Sequence, residues 1–189
     1  MPIWDGAQVL LLERSSAGQT ATVLGAGDAV LASCDDGGNV VGPDGAALMT
    51  ATLSTEPGAH SDMVGADLKR LRARVEVTGA DGTAAGSLGV KSFTVTPFSK
   101  KITIAMLDPA GAEVGDLATV DRKGRELALT YGGANVATLA LADRDSGIRR
   151  TVERWSLEVG TRPPPPGDLL AAAAILRKGK LQAEVSSPG

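Results

Sequence analysis

Eight consecutive apolar residues, 169–176, constrain this chain more than any other stretch. They follow four prolines and a Gly-Asp pair and run into Arg177, Lys178 and Gly179. The pattern predicts a short helix over 168–178, with Asp168 as N-cap, Arg177 and Lys178 at the negative end of the helix dipole, and Gly179 just past the end. A helix that is apolar on every face needs protein or lipid around it. At ~1.5 Å per residue, residues 168–178 span only about 16 Å, short of the roughly 20 residues that a bilayer crossing takes. Protein is therefore the expected surround, and no transmembrane segment is expected.

What could surround such a helix is told by the rest of the chain. With 24 Gly and 10 Pro in 189 residues, and 43% hydrophobic residues, it reads as many short elements joined by turns, in one domain spanning 1–189. Alternation of apolar and polar residues marks half-buried strands: Val75 and Val77; Phe93 and Val95; Ile102, Ile104 and Met106; Leu127, Leu129 and Tyr131; Trp155, Leu157 and Val159. Earlier, residues 7–13, 20–24, 28–34 and 47–53 read as strands between Gly- and Asp-rich turns, among them 35–39 and Asp44-Gly45. Residues 68–180 are the best patterned. Residues 54–67 lose periodicity and are expected to be a long loop, and 181–189 a flexible tail. A repeat runs through the second half: Gly82, Gly86 and Leu88 recur as Gly111, Gly115 and Leu117, and more weakly as Gly133, Ala137 and Leu139. The first Gly of each copy suits a turn with positive φ, and the second a bend or close approach within the outgoing strand. About ten to twelve short, bent strands close or split into two layers.

These hairpins, the strand ending in Trp155-Ser156-Leu157-Glu158-Val159, and the Pro-rich turn into an apolar C-terminal helix resemble the Tubby C-terminal-like superfamily, which includes LURP-one-related proteins and phospholipid scramblases. The resemblance implies a mainly β fold: a closed antiparallel barrel of about 12 strands around a central hydrophobic C-terminal helix. It also implies a non-enzymatic binding or scaffold module. Neither a cysteine-rich stretch nor an acidic calcium loop of the scramblase kind precedes the last helix, so scrambling is not expected.

Charge is unevenly distributed. Residues 1–68 hold nine Asp and Glu against Arg14 alone, leaving 18 basic and 13 acidic residues for 69–189. The densest basic stretch is Lys69, Arg70, Arg72 and Arg74, whose alternation puts the three arginines on one strand face. That face is the candidate site for a phosphorylated head group or an anionic phospholipid surface, although an ordinary solvated strand face weighs ahead of it. Two alternatives thus stand beside the binding module: a peripheral membrane-lipid protein, and a carrier of a small apolar ligand in the barrel interior.

Other chemistry finds little material. His60 is the only histidine, so a His-based triad or a multi-His metal site is not available. The lone Cys34 sits beside Asp35 and Asp36, whose charges raise a thiol pKa, and reads as an inert packed residue. Asp35, Asp36, Asn39 and Asp44 fit turns and no calcium-loop spacing. No catalytic residue, metal site or cofactor is expected. Nucleic acid is not an expected partner either, because the chain is acidic and its basic residues are not interleaved with aromatics. Met1-Pro2-Ile3-Trp4-Asp5 does not read as a secretory signal, which makes the cytoplasm the expected location, with peripheral membrane attachment in the lipid reading.

Overall fold

Alternation along the strands, one side chain inward and the next outward, is what lets the chain curl into a barrel with an apolar lumen. The structure is a computed structural model that describes residues 1–5, 8–15, 20–55, 73–146 and 151–186. Twelve strands occupy most of it: β1 (Gln8–Ser15), β2 (Ala21–Leu24), β3 (Val30–Cys34), β4 (Asn39–Val41), β5 (Ala47–Thr55), β6 (Ala73–Gly79), β7 (Ala84–Thr96), β8 (Ser99–Leu107), β9 (Glu113–Thr119), β10 (Glu126–Tyr131), β11 (Ala134–Ser146) and β12 (Thr151–Val159). Each pairs antiparallel with its neighbours in sequence, and β1 pairs with β12 to close the barrel. At the seam Leu10 lies opposite Leu157 and Leu12 opposite Trp155. All four side chains point into the core.

The helix α1 (Gly167–Ser186) fills that core, with Ala171, Ala172, Ala173 and Ala174 wholly buried against the strands. Alanines keep the helix thin there, while Leu88, Ile104, Met106, Leu117 and Leu129 project from the wall to meet it. Gly167 passes the Tyr131 ring so closely that a Cβ would lie 2.2 Å from it. At the entry, a 3-10 turn (Pro2–Trp4) covers the barrel end: Ile3 and Trp4 are buried, and the Trp4 indole donates to the Asp168 carbonyl at 2.9 Å.

Three details of the helix differ from the expectation. It extends to Ser186 instead of stopping at 178, so Gly179 lies inside it. Leu181 and Val185, spaced four apart on the face of Arg177, are buried, and this cover makes residues 181–186 helix where a flexible tail was expected. Arg177 and Lys178 are consequently buried mid-helix residues, not terminal ones. Asp168 belongs to the first turn, and its carboxylate accepts from Arg162 at 2.8 Å instead of capping.

The repeated hairpins are present, and the turn type extends beyond them. Residues 35–39, 42–46, 79–83 and 108–112 form the same five-residue turn, in which the first N–H donates to the fifth carbonyl and the fourth N–H to the first carbonyl. The fourth residue is Gly38, Gly45, Gly82 or Gly111, each with positive φ. An Asp carboxylate braces every copy by accepting backbone N–H groups: Asp35, Asp44, Asp81 and Asp108. Gly133 instead sits in a two-residue turn with Gly132. What its copy shares with the others is the strand: Val77 pairs with Gly86, Met106 with Gly115 and Leu129 with Ala137, and a β-bulge follows each pair. The three-residue β4, squeezed between two such turns, was not expected as a strand. Residues 56–67 of the expected long loop lie outside the described residues, while Ser54 and Thr55 belong to β5.

Because strands alternate in direction, the loops sort onto two barrel ends. The β2–β3, β4–β5, β6–β7, β8–β9 and β10–β11 loops share one end with the start of α1; they carry Asp28, Asp44, Asp81 and Asp108 and no Lys or Arg. The β3–β4, β7–β8 and β9–β10 loops share the other end with the later turns of α1.

Candidate functional site: a basic cleft at the exit end of the barrel

At this second end a cavity of about 530 Å³ opens between the β7–β8 hairpin, the β9–β10 loop, β11, β12 and α1. It is built from a loop folded around one carboxylate. Asp121 accepts the backbone N–H groups of Lys123, Arg125 and Glu126 at 3.0, 2.8 and 3.0 Å. Partial burial alone would raise its pKa, but these hydrogen bonds overcome that and hold the carboxyl below its ordinary value. With Asp121 committed to the loop, Arg122, Lys123 and Arg125 line the cavity. Two backbone bonds fix the loop against its neighbours: Lys100 N–H donates to the Arg122 carbonyl at 2.9 Å, and Leu141 N–H to the Arg125 carbonyl at 2.7 Å.

The opposite wall comes from a register pair, Arg144 on β11 and Glu153 on β12. Their side chains form an ion pair, and the second Glu153 oxygen accepts from the Trp155 indole N–H at 3.2 Å. At the floor, Lys178 of α1 is 5% exposed, with its Nζ 4.6 Å from the centroid of the Trp155 ring. It is the last residue of the expected helix, and it stands in the barrel mouth because the helix runs the length of the lumen. Six cations therefore line one cavity, Lys100, Arg122, Lys123, Arg125, Arg144 and Lys178, together with a single carboxylate, Glu153. Such a cavity can hold an anion, since charge-assisted hydrogen bonds from Arg and Lys suit phosphate and carboxylate oxygens.

Beside the cleft the helix is fastened to the β3–β4 turn. Arg177, 1% exposed, donates from Nη1 to the carbonyls of Asp35 and Asp36 at 3.1 and 3.2 Å, and Lys180 pairs with the Asp36 carboxylate at 2.7 Å. Cys34 is buried here, its thiol 3.5 Å from the Asp35 carbonyl. Asp35 is held below its ordinary pKa, first by the Asn39 side chain and then by backbone hydrogen bonds.

Of the basic residues singled out in the sequence, Arg74 is exposed on the outer face of β6, beside Glu76 on the same face, and does not line the cleft. Lys69, Arg70 and Arg72 lie outside the described residues, as does His60. The cleft residues were legible only in fragments: Arg122, Lys123 and Arg125 crowd one turn, yet nothing local links them to Arg144 or Lys178. Among the described residues no group of three His, Cys, Asp or Glu is placed to hold a metal ion, and no helix is long and apolar enough to cross a membrane. Compared with family models, curated proteins and solved structures, the chain matches none of them.

Proposed function

We infer that the protein is a non-enzymatic binding module, of the Tubby-like kind its hairpins and helix resemble, and that the basic cleft takes an anionic, phosphate-bearing ligand. One observation carries this reading: six cations from four separate segments converge on one cavity against a single carboxylate. Asp121, in the loop that supplies three of these cations, is itself spent on backbone N–H groups. The floor adds a further cation, Lys178, held over the Trp155 ring. The apolar-carrier alternative draws no support from a lumen packed with Ala171–Ala174 and their leucine and isoleucine neighbours.

Pyrophosphate is a suitable soluble probe. Titration calorimetry at low ionic strength is expected to show binding that weakens with added salt. The combined change Arg122→Gln, Lys123→Gln and Arg125→Gln, at exposed positions that leave the fold intact, is expected to abolish it. Absence of pyrophosphate binding by the unaltered protein would refute the reading.

A further inference from the structure

We propose that this end of the barrel is a membrane-docking surface, which seats end-on against an anionic bilayer with the β7–β8 hairpin tip inserted among the lipids. The proposal rests on the reading of the cleft as an anion site and adds the source of the anion. Four large apolar side chains stand out as exposed among the described residues, and three of them lie at this end: Val95 (59%), Phe98 (87%) and Val120 (58%). Phe98 sits at the two-residue Pro97-Phe98 tip and lines the cleft mouth. Val95 is the register partner of Lys100, and Val120 begins the loop that carries Arg122, Lys123 and Arg125. Apolar tips interleaved with cations are what an anionic membrane interface accommodates: the rings and aliphatic side chains enter the acyl boundary while Lys and Arg stay at the head groups. A soluble anion would need the cations but would leave Phe98 without a role.

The remainder of the molecule orients this contact. At the opposite end the β2–β3, β4–β5, β6–β7, β8–β9 and β10–β11 loops present Asp28, Asp44, Asp81 and Asp108 without a Lys or Arg, and Arg162, in the segment between β12 and α1, is paired there with Asp5 and Asp168. A barrel so polarised turns its cationic end toward a negative surface before touching it. A firm framework backs the tip: β7 and β8 stay paired up to Thr96 and Ser99, with Phe93 and Ile102 buried beneath it. The apolar area of the tip and the attraction of the basic patch to anionic lipids add together, which is how interfacial binding gains strength without a lipid anchor.

The test is sedimentation of the full chain with phosphatidylcholine vesicles carrying about 30% phosphatidylserine, at low and at physiological salt. Binding is expected that falls with salt and is absent from pure phosphatidylcholine. Phe98→Ser is expected to weaken it roughly tenfold, and the Arg122, Lys123 and Arg125 to Gln variant on the order of a hundredfold. In Phe98→Trp, the added fluorescence is expected to shift to the blue on mixing with the anionic vesicles. Failure of the unaltered protein to bind vesicles at low salt, while it still binds pyrophosphate, would overturn docking and leave the cleft reading standing; failure of both would overturn both. Vesicle binding that is unchanged in Phe98→Ser and gives no shift in Phe98→Trp would overturn insertion of the hairpin.

Discussion

Glu153 is the residue on which the chemistry of the cleft turns. Its carboxylate is the cleft's own anion, neutralising Arg144 and fixing the Trp155 ring beneath which Lys178 is held. Replacement by Gln keeps an acceptor for the indole N–H but frees Arg144. Glu153→Gln is therefore expected to bind pyrophosphate roughly fivefold more tightly, the equivalent of about 1 kcal/mol of restored charge attraction. Calorimetry giving equal or weaker binding would show that Glu153 is needed to shape the cleft more than it competes for it. Little of this was legible beforehand. Arg70, Arg72 and Arg74 drew attention because neighbours in sequence can share a strand face, which is a local inference. Arg144 and Lys178 are 34 positions apart, and only closure of the barrel around the helix brings them to one cavity. A run of charges announces itself in a sequence, whereas convergence of scattered ones depends on register.

Among the elements, the hairpins show why periodic patterns were readable and single short strands were not. The Gly86 and Gly115 positions recur because neighbouring backbone leaves no room for a side chain: a Cβ at Gly86 would lie 2.1 Å from the Leu107 carbonyl oxygen, and one at Gly115 2.2 Å from that of Thr130. Gly86 also has φ of +132°, which an L side chain rarely adopts. Gly86→Ala is accordingly expected to cost about 2–4 kcal/mol, from strain and forced separation of β7 and β8. Urea unfolding would register this as a lower midpoint with an unchanged slope. A loss below about 1 kcal/mol would mean that the strands yield easily there. By contrast β4 has three residues between two turns, too few for alternation to appear. The helix end was misplaced for a related reason. Arg177, Lys178 and Gly179 have the composition of a stop, but burial of Leu181 and Val185 outweighs it, since tertiary cover overrides local propensity.

For the whole molecule, the early inference that held was architectural: many short bent strands and one all-apolar helix too short for a bilayer require each other, and the closed barrel around α1 meets that requirement. Ala173, wholly buried at the middle of the helix, tests the dependence. Ala173→Asp places a carboxylate where neither water nor a partner reaches it, at a cost of several kcal/mol out of a typical domain stability of ~5–15 kcal/mol. The variant is expected to lose its cooperative thermal transition, and a chain ending at Pro166 likewise. If the shortened chain melted cooperatively within a few degrees of the full one, α1 would not be the core. Time adds a consequence to this architecture. The strand that closes the barrel is the twelfth, and the segment that fills it comes later still. While the ribosome is making this chain, eleven strands can line up with their inward faces bare and nothing to gather around. Folding is thus pushed past the end of synthesis of these elements, to the moment the helix emerges. Until then the growing sheet is a sticky half-cylinder, and protection of the nascent chain matters most over its final third.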